Sequence, residues 1–236
     1  MTRLNKRIDT AAQRATSPHE LGELARDEAV EVRQAVARNP STPADVLRSL
    51  LQDPRWEVRF GVTENPHPRA RDIALADPDK DIRGLAAQRS DLDTASYERI
   101  LNDPKHYVRE RLADVVADPL VAAVLARDPH QTVRATIVHN PALTDPDVEM
   151  LARDPIAQVR GSAAASRRPS PETLTRLAGD RSAAVRWSVL VHNPERLDLA
   201  KLLLQDPNST NRTQAQIQLE NPRQFTRVLG DIILVH

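Results

Sequence analysis

Residues 53–66 read DPRWEVRFGVTENP, and residues 128–141 read DPHQTVRATIVHNP. Both are copies of a unit, Asp-Pro-x-x-x-Val-Arg-x-x-Val-Ala-x-Asn-Pro, that recurs along most of the chain. Weaker copies begin at Asp27, Asp77, Asp103, Asp154, Asp180 and Asp206. An arginine follows each aspartate by six positions, at Arg33, Arg59, Arg83, Arg109, Arg134, Arg160, Arg186 and Arg212. Spacings of 24 to 26 residues over eight copies indicate tandem structural repeats.

The segment before each Asp-Pro pair predicts a first helix. Ser17-Pro18 with Glu20 three residues after the serine is a capping box, in which the serine hydroxyl accepts from a free helical N–H. In the next repeat, Thr42 is the predicted N-cap and Pro43 the first helical residue, where its missing N–H costs nothing.

The segment after each Asp-Pro pair predicts a second helix. The aspartate can accept from N–H groups of the first turn, and the proline fixes φ there. Val58 and Val62 are four residues apart and share one helical face, and Asn65-Pro66 ends the helix because the residue before a proline avoids helical angles. Helices this short can be α or 3₁₀, and the sequence leaves both open.

These signals predict one all-α repeat domain over residues 1–236. Since short helices are marginal alone, neighbouring repeats must stack to form a continuous core. We expect an α-solenoid, a right-handed superhelix of eight two-helix repeats over residues 17–222. Residues 1–16 form the predicted N-terminal cap, with Leu4, Ile8 and Ala12 at helical spacing. The apolar residues 223–236 are either a C-terminal cap or a dimer contact.

The unit resembles two related families over roughly residues 17–222. Its period and its Asp-Pro and Asn-Pro pairs look like the leucine-rich repeat variant family, and its Asp and Arg six residues apart look like HEAT repeats. The HEAT resemblance implies a ladder in which each Arg bonds Asp groups of its own or the adjacent repeat. Three such rungs would be Asp53 with Arg59, Asp128 with Arg134 and Asp154 with Arg160. The founding leucine-rich repeat variant also carries an iron–sulfur module, which a chain without cysteine cannot hold.

Some copies depart from the unit. Asp27 and Asp180 lack the proline, Arg89-Ser90 replaces Asn-Pro, and Asp118-Pro119 interrupts the fourth copy. In the last copy, Asn211 stands where valine is expected. These positions predict local irregularity in the stack.

Composition excludes several classes of site. Cysteine is absent, so disulfides, thiolate metal sites and thiol nucleophiles are excluded. No two histidines have the three- or four-residue spacing of a helical zinc site, and there is no glycine-rich phosphate loop or Gly-x-Ser-x-Gly elbow. Residues 1–20 have no apolar signal core, and no stretch is long enough for a membrane span. We therefore predict a cytoplasmic protein that is not an enzyme and has no metal or cofactor.

Aromatic side chains are the candidate binding residues. Four of the six aromatics fall in or beside second helices, at positions that vary between repeats: Trp56, Phe60, Tyr107 and Trp187. Second helices line the concave face of such solenoids, where exposed aromatics are common anchors for partners. The alternative is that these side chains fill gaps left by Gly61, Gly84 or alanine-rich neighbours.

Charge is unevenly distributed even though 33 basic and 33 acidic residues cancel. Acidic residues predicted to share the face of the aromatics are concentrated in the first four repeats: Glu31, Glu57, Glu64, Asp81, Glu110 and Asp114. The later repeats carry Arg153, Arg167, Arg168 and Arg181 with fewer acidic residues nearby. One hypothesis is a concave face that is acidic in its N-terminal half and basic in its C-terminal half. The alternative is a solvated surface of mixed charge.

The sequence favours a non-catalytic protein–protein interaction scaffold that binds a partner protein or peptide on its concave face. The alternative is nucleic-acid binding, because HEAT-like alkylpurine DNA glycosylases are solenoids of similar length. That resemblance is architectural, and zero net charge does not favour it. A third alternative is an assembly factor that acts through residues 223–236. The partner and the oligomeric state are left open.

Overall fold

The computed structural model describes residues 2–220, which are helical with short connections and contain no strand. In chain order the helices are α1 (Arg3–Ala12), α2 (Pro18–Leu24), α3 (Val30–Arg38), α4 (Ala44–Leu50), α5 (Trp56–Thr63), α6 (Pro68–Ala74), α7 (Lys80–Ala86), α8 (Thr94–Leu101), α9 (His106–Val115), α10 (Pro119–Leu125), α11 (Gln131–Ile137), α12 (Asp145–Leu151), α13 (Ala157–Ala165), α14 (Pro171–Ala178), α15 (Ala183–His192), α16 (Leu197–Leu203) and α17 (Ser209–Glu220). All are α-helices, so the predicted all-α solenoid is confirmed. Residues 223–236, the predicted C-terminal cap, lie outside the described residues.

Each repeat pairs a first helix, even-numbered, with a second helix, odd-numbered from α3 onward. The contacts define two compact units, the first ending at Leu112 and the second beginning at Ala113, inside α9. In the first unit, α1, α3, α5 and α7 pack in succession; in the second, α11, α13, α15 and α17 do the same. In both units the second helices contact one another more extensively than the first helices do.

A thin aliphatic core runs between the two helix layers of each unit. Val58 and Val62, predicted to share a face, are both fully buried, together with Leu47 of the preceding first helix. In the second unit, Val133 and Leu151 occupy comparable places. Each helix buries one stripe of small or medium side chains, so removing a neighbouring repeat would expose that stripe.

The helix starts confirm one predicted cap and correct another. The Ser17 Oγ accepts from the Glu20 N–H at 3.2 Å and caps α2 as predicted. Thr42 does not cap α4, whose N-cap is Pro43. Its buried hydroxyl donates instead to the Val36 carbonyl at 2.6 Å, closing the end of the preceding helix.

Helix α1 has the position of a second helix. It packs on α3 as α3 packs on α5. Its Arg7 lies 26 residues before Arg33 in the sequence and meets the Asp27 carboxylate at 3.3 Å. The predicted N-terminal cap is therefore built on the same register as the repeats.

Candidate interaction surface

Arginines of successive repeats form a ladder with the aspartates of the following repeats. In five rungs the Nε and Nη2 atoms donate to the two oxygens of one carboxylate, at 2.6–2.7 Å and 2.7–3.2 Å. These rungs are Arg33–Asp53, Arg83–Asp103, Arg134–Asp154, Arg160–Asp180 and Arg186–Asp206. Every pair spans 20 residues, so each rung ties one repeat to the next.

The predicted pairs within one repeat contact each other differently. Arg59, Arg134 and Arg160 each use Nη1 to donate to the backbone carbonyl of the aspartate six residues earlier, at 2.7–3.1 Å. The three predicted pairs are hydrogen-bonded, but their own aspartate supplies its backbone carbonyl oxygen, and the carboxylate comes from the following repeat. The reason is geometric, because the aspartate side chain turns back to its own loop and to the preceding repeat.

Each ladder aspartate also shapes the connection to the second helix. The Asp53 Oδ1 accepts from the Arg55 N–H at 2.9 Å, and the Asp206 Oδ1 accepts from the Asn208 N–H at 2.7 Å. This turn satisfies one of the N–H groups that precede the helix. The Asp-Pro pair therefore forms a turn two or three residues before the helix, rather than its N-cap and first residue.

These bonds hold the Asp206 carboxylate in the charged form. The Arg186 hydrogen bonds lower the pKa of Asp206 to about 2 against the opposing effect of burial, with help from the Asn208 N–H and the Asn211 amide. The hydrogen bond to Asp206 in turn raises the pKa of Arg186. A buried carboxylate with this many donors is a structural group.

One further rung keeps the 20-residue span but does not use the aspartate of the repeated unit. Arg59 donates to Asp79 at 3.0 Å rather than to Asp77, although Asp77 is the aspartate at the repeat position. The segment between Arg59 and Asp77 is two residues shorter than its counterpart between Arg33 and Asp53. Asp77 is only 4% exposed, its Oδ2 accepts no hydrogen bond, and burial raises its pKa.

A second ladder is made by asparagine amides at the ends of second helices. The Asn65 Nδ2 donates to the Ala37 and Asn39 carbonyls at 2.6 and 2.8 Å, and Asn39 makes the same contacts to Ala11 and Gln13. Carbonyls at a helix end lack internal donors, so these amides close the preceding repeat. The asparagine before proline thus links repeats, in addition to ending its own helix.

Arg89 takes over this role where the asparagine is missing. Its Nη1 donates to the Thr63 and Asn65 carbonyls at 2.6 and 2.9 Å, and its other nitrogens bind Asp91. The Arg89-Ser90 departure is therefore a chemical substitution within the same ladder.

The Asp118-Pro119 departure marks the start of α10, because the Asp118 carboxylate accepts from the Leu120 N–H at 2.8 Å.

Five of the ladder arginines are unsuited to a track for phosphates. The guanidiniums of Arg33, Arg83, Arg134, Arg160 and Arg186 are largely buried, and each is fixed to a carboxylate by two hydrogen bonds. Arg212 of the last repeat, in contrast, is exposed. A cation neutralised by a carboxylate offers little attraction to a polyanion. The nucleic-acid alternative accordingly stays a prediction with no support from the ladder.

Trp56 and Phe60 form an aromatic platform on the second helix α5. The rings stack with centroids 4.9 Å apart and an interplanar angle of 9°. Trp56 is 45% exposed, and Arg38 lies over Phe60 with its guanidinium carbon 5.9 Å from the ring centroid. Arg38 is itself held by the Glu64 carboxylate at 2.6 Å.

Arg38 was not singled out from the sequence, and Glu64 was named only for its charge, not as a partner of the aromatic residues. A signal was present, since they follow their ladder arginines, Arg33 and Arg59, by the same five residues. Equal offsets in adjacent repeats place side chains next to each other in a stack.

Tyr107 occupies a more enclosed position on α9. A Cβ added at Gly84 would lie 2.7 Å from its Cε1 atom, so the glycine leaves the space that the ring fills. Lys80 lies 4.7 Å from the ring centroid and Arg111 lies 5.9 Å from it. Tyr107 therefore fits the gap-filling alternative and is also flanked by two cations.

Trp187 lies on α15 in the second unit and is half-buried. Trp187 does not fill the space left by the glycine of the preceding repeat, Gly161, because no atom lies within 4 Å of the place where a Cβ would stand at that glycine. Trp187 and the Trp56–Phe60 platform belong to separate units, and they are treated as separate anchors.

The hypothesis that the surface of the second helices is basic in its C-terminal half is wrong. Arg153, Arg167, Arg168 and Arg181 lie in connections between helices, outside α11, α13, α15 and α17. Apart from their ladder arginines, those four helices contain only His192 and Glu220 as ionisable residues. The second helices α3, α5 and α7 do carry acids, namely Glu31, Glu57 and Asp81, mixed with Arg38 and Lys80.

Comparison with known proteins identifies the architecture. Residues 30–55 match the family model described as leucine rich repeat variant. A solved structure described as a leucine-rich repeat variant with a novel repetitive structural motif superposes with a TM-score of 0.60 at 22% identity, covering 85% of this chain and 81% of that chain. The fold is that of a leucine-rich repeat variant. The resemblance predicted from the sequence is confirmed.

Two further comparisons add no functional information. An engineered protein covers 95% of this chain and 98% of its own at 18% identity, but with a TM-score of 0.29. No curated protein matches the sequence. The leucine-rich repeat variant comparison thus establishes a repeat scaffold, and function has to be argued from the surface.

Two kinds of site are absent from the described part of this leucine-rich repeat variant fold. Within residues 2–220, no three His, Asp or Glu side chains are grouped so that they could hold a metal ion. Over the same residues, no helix has the length and apolar character needed to cross a membrane.

Proposed function

We propose that this chain is a non-catalytic, cytoplasmic scaffold that binds a partner protein or peptide on its second-helix surface, the side predicted to be concave. The ladders are engaged in holding repeats together, which leaves the variable positions of the second helices for recognition. Trp56 and Phe60 are the main anchor, and Tyr107 and Trp187 are the other proposed contacts.

The observation that carries this proposal is the exposed, stacked pair of Trp56 and Phe60. A tryptophan that is 45% exposed keeps apolar area in water, which a partner could cover. Its ring is already ordered by stacking on Phe60, which Arg38 flanks on the neighbouring helix. A preordered aromatic loses little side-chain entropy on binding, and this is typical of interface hot spots.

The polar groups near the platform favour a peptide over a purely apolar ligand. Arg38 with Glu64, and Arg55 with Glu57, form exposed ion pairs at 2.6 and 3.3 Å. Exposed pairs of this kind contribute little to stability, about 0–1 kcal/mol, so they can exchange partners at low cost. An aromatic core with a polar, charged rim is the usual anatomy of a protein interface.

The test is a selection of phage-displayed peptides on the wild-type protein, followed by affinity measurements on variants. We expect selected peptides to bind Trp56→Ala and Phe60→Ala at least tenfold more weakly, about 1.4 kcal/mol, because the anchor is lost. Leu120→Ala is the matched control, since Leu120 is 80% exposed but lies on the first helix α10.

Circular dichroism and the melting temperature must remain unchanged in Trp56→Ala for the comparison to count, and its exposure predicts that they will. If every selected peptide binds Trp56→Ala as well as it binds wild type, the interface lies elsewhere and the proposal fails. The same series with Tyr107→Ala and Trp187→Ala shows whether these side chains contribute.

A further inference from the structure

An open, shallow cavity of about 420 Å³ on the surface of the second unit is lined by four arginines. It lies at the edge where first helices connect to second helices. The charged residues that line it are Arg153, Arg160, Arg176, Arg181, Asp154 and Asp180. Four cations and two anions around one opening give a local excess of positive charge.

Both carboxylates of the cavity are already committed to the ladder. Asp154 accepts two hydrogen bonds from Arg134, and Asp180 accepts two from Arg160. Arg160 is thereby neutralised as well. The carboxylates cannot also take Arg153, Arg176 and Arg181 as bidentate partners.

The three remaining arginines bind only neutral acceptors or none among residues 2–220. The Arg176 Nη2 donates to the Ala152 carbonyl and the Arg181 Nη2 donates to the Pro155 carbonyl, each at 3.2 Å. Neither these two nor Arg153 forms an ion pair with a described residue. Glu149 lines an adjacent groove with Arg153 and is close enough for the two charges to attract each other, but its oxygens accept hydrogen bonds from Ser170 and Thr173 at 2.6 Å.

We propose that this cavity binds the phosphoryl group of a phosphorylated side chain on a partner protein. A phosphoryl group carries nearly two negative charges and three acceptor oxygens, and guanidinium forks match that geometry. Arg176 and Arg181 are each steadied by one carbonyl, which leaves most of their N–H groups available to a ligand. This inference concerns a different unit from the Trp56 platform and stands independently of it.

The arrangement favours a single phosphoryl group over a nucleic-acid backbone. Nucleic acids are held by many cations spread along the strand, and binding strength follows the number of phosphates neutralised. Here the three arginines are exposed and lie together around one open cavity. The adjacent groove adds Arg127, whose guanidinium is already paired with the Asp147 carboxylate at 3.1 Å.

The experiment is isothermal titration calorimetry with acetyl-Gly-Gly-phosphoserine-Gly-Gly-amide, its unphosphorylated twin, inorganic phosphate and the single strand dT12. We expect the phosphopeptide to bind more tightly than inorganic phosphate, the twin not to bind, and affinity to fall with salt. Arg153→Gln, Arg176→Gln and Arg181→Gln should each weaken binding about tenfold, since each removes charge-assisted hydrogen bonds.

Arg69→Gln is the control, because Arg69 is exposed and lies in the first unit. Circular dichroism confirms that each variant folds. The inference is overturned if the phosphopeptide and its twin bind alike, if the three variants bind as Arg69→Gln does, or if inorganic phosphate or dT12 binds at least as tightly. Trp56→Ala should keep phosphopeptide binding, which separates a failure here from a failure of the proposed interaction surface.

Discussion

The guanidinium of Arg186 donates to both carboxylate oxygens of Asp206, 20 residues later, at 2.6 and 2.7 Å. The pair joins α15 to the turn before α17, and the Asp206 side chain is fully shielded from solvent. The same relation recurs within both units, so its energetics bear on the stability of each unit.

Acid should destabilise the protein through Asp206. Its pKa is about 2 in the fold, against an ordinary value of 3.8, so the folded state binds the proton less readily than the unfolded state. The stabilisation is complete above the unfolded pKa and is lost as the pH falls from about 5 toward 2, about 1 kcal/mol by pH 3 and about 2 kcal/mol by pH 2. Urea unfolding of wild type and Asp206→Asn at pH 6 and pH 3 measures it.

The difference in unfolding free energy between wild type and Asp206→Asn should narrow as the pH falls, because only wild type loses this contribution. A difference that stays constant between pH 6 and pH 3 would show that the pKa of Asp206 is not depressed in the fold.

Loss of a ladder arginine should cost far more than loss of a surface arginine. Arg134→Ala leaves the Asp154 carboxylate buried without its cation and should destabilise the protein by about 3 kcal/mol. Arg69→Ala, at an exposed site, should change it by less than about 0.5 kcal/mol. Thermal unfolding followed by circular dichroism compares the two, and equal small losses would rule out a stabilising ladder.

Substitution of Asp77, whose carboxylate forms no rung, should change the stability in the opposite direction from substitution of a ladder residue. Burial raises the pKa of Asp77 above its usual value, so its charged form opposes folding at neutral pH. We expect Asp77→Asn to be neutral or stabilising by about 1 kcal/mol at pH 7. Asp53→Asn, which weakens the rung with Arg33, should be destabilising. Urea unfolding measures the free energy of unfolding of both variants. A large decrease for Asp77→Asn would show that the charged form of Asp77 does not oppose folding.

Asparagine, which other repeats carry at this position, should be able to replace Arg89. Arg89→Ala removes the donor from the Thr63 and Asn65 carbonyls and should cost about 1–2 kcal/mol. Arg89→Asn restores the amide found in other repeats and should recover at least half of that loss. If asparagine is no better than alanine by urea unfolding, Arg89 acts through Asp91 instead.

The sequence predicted the two-helix repeat because its signals are local. The spacing of Val58 and Val62 and the Ser17 cap depend on residues within one or two turns. The sequence did not predict which aspartate carboxylate each arginine binds. Every arginine has one aspartate in its own repeat and another at the same position of the following repeat, and spacing alone does not distinguish them. Arg89 was misread as an irregularity, since nothing local shows that a guanidinium can replace an amide 24 residues from its acceptor.

The candidate site was predicted only in part for the same reason. Helical position placed Trp56 and Phe60 on a second helix, but their stacking and the contact with Arg38 arise between side chains in the folded stack. The cavity of Arg153, Arg176 and Arg181 could not be seen in the sequence, because it depends on which carboxylates the ladder consumes.

The 20-residue span of each rung determines where this chain can be divided. A cut between Arg33 and Asp53, or between Arg160 and Asp180, separates a guanidinium from its carboxylate. A cut in the connection between an aspartate and the second helix that follows it, such as 54–55 or 155–156, separates no such pair and leaves α5 and α13 whole. Fragments for shortening, fusion or grafting of this array should therefore begin and end in those segments, although the alignment of the sequence copies alone would suggest cutting at Asn-Pro.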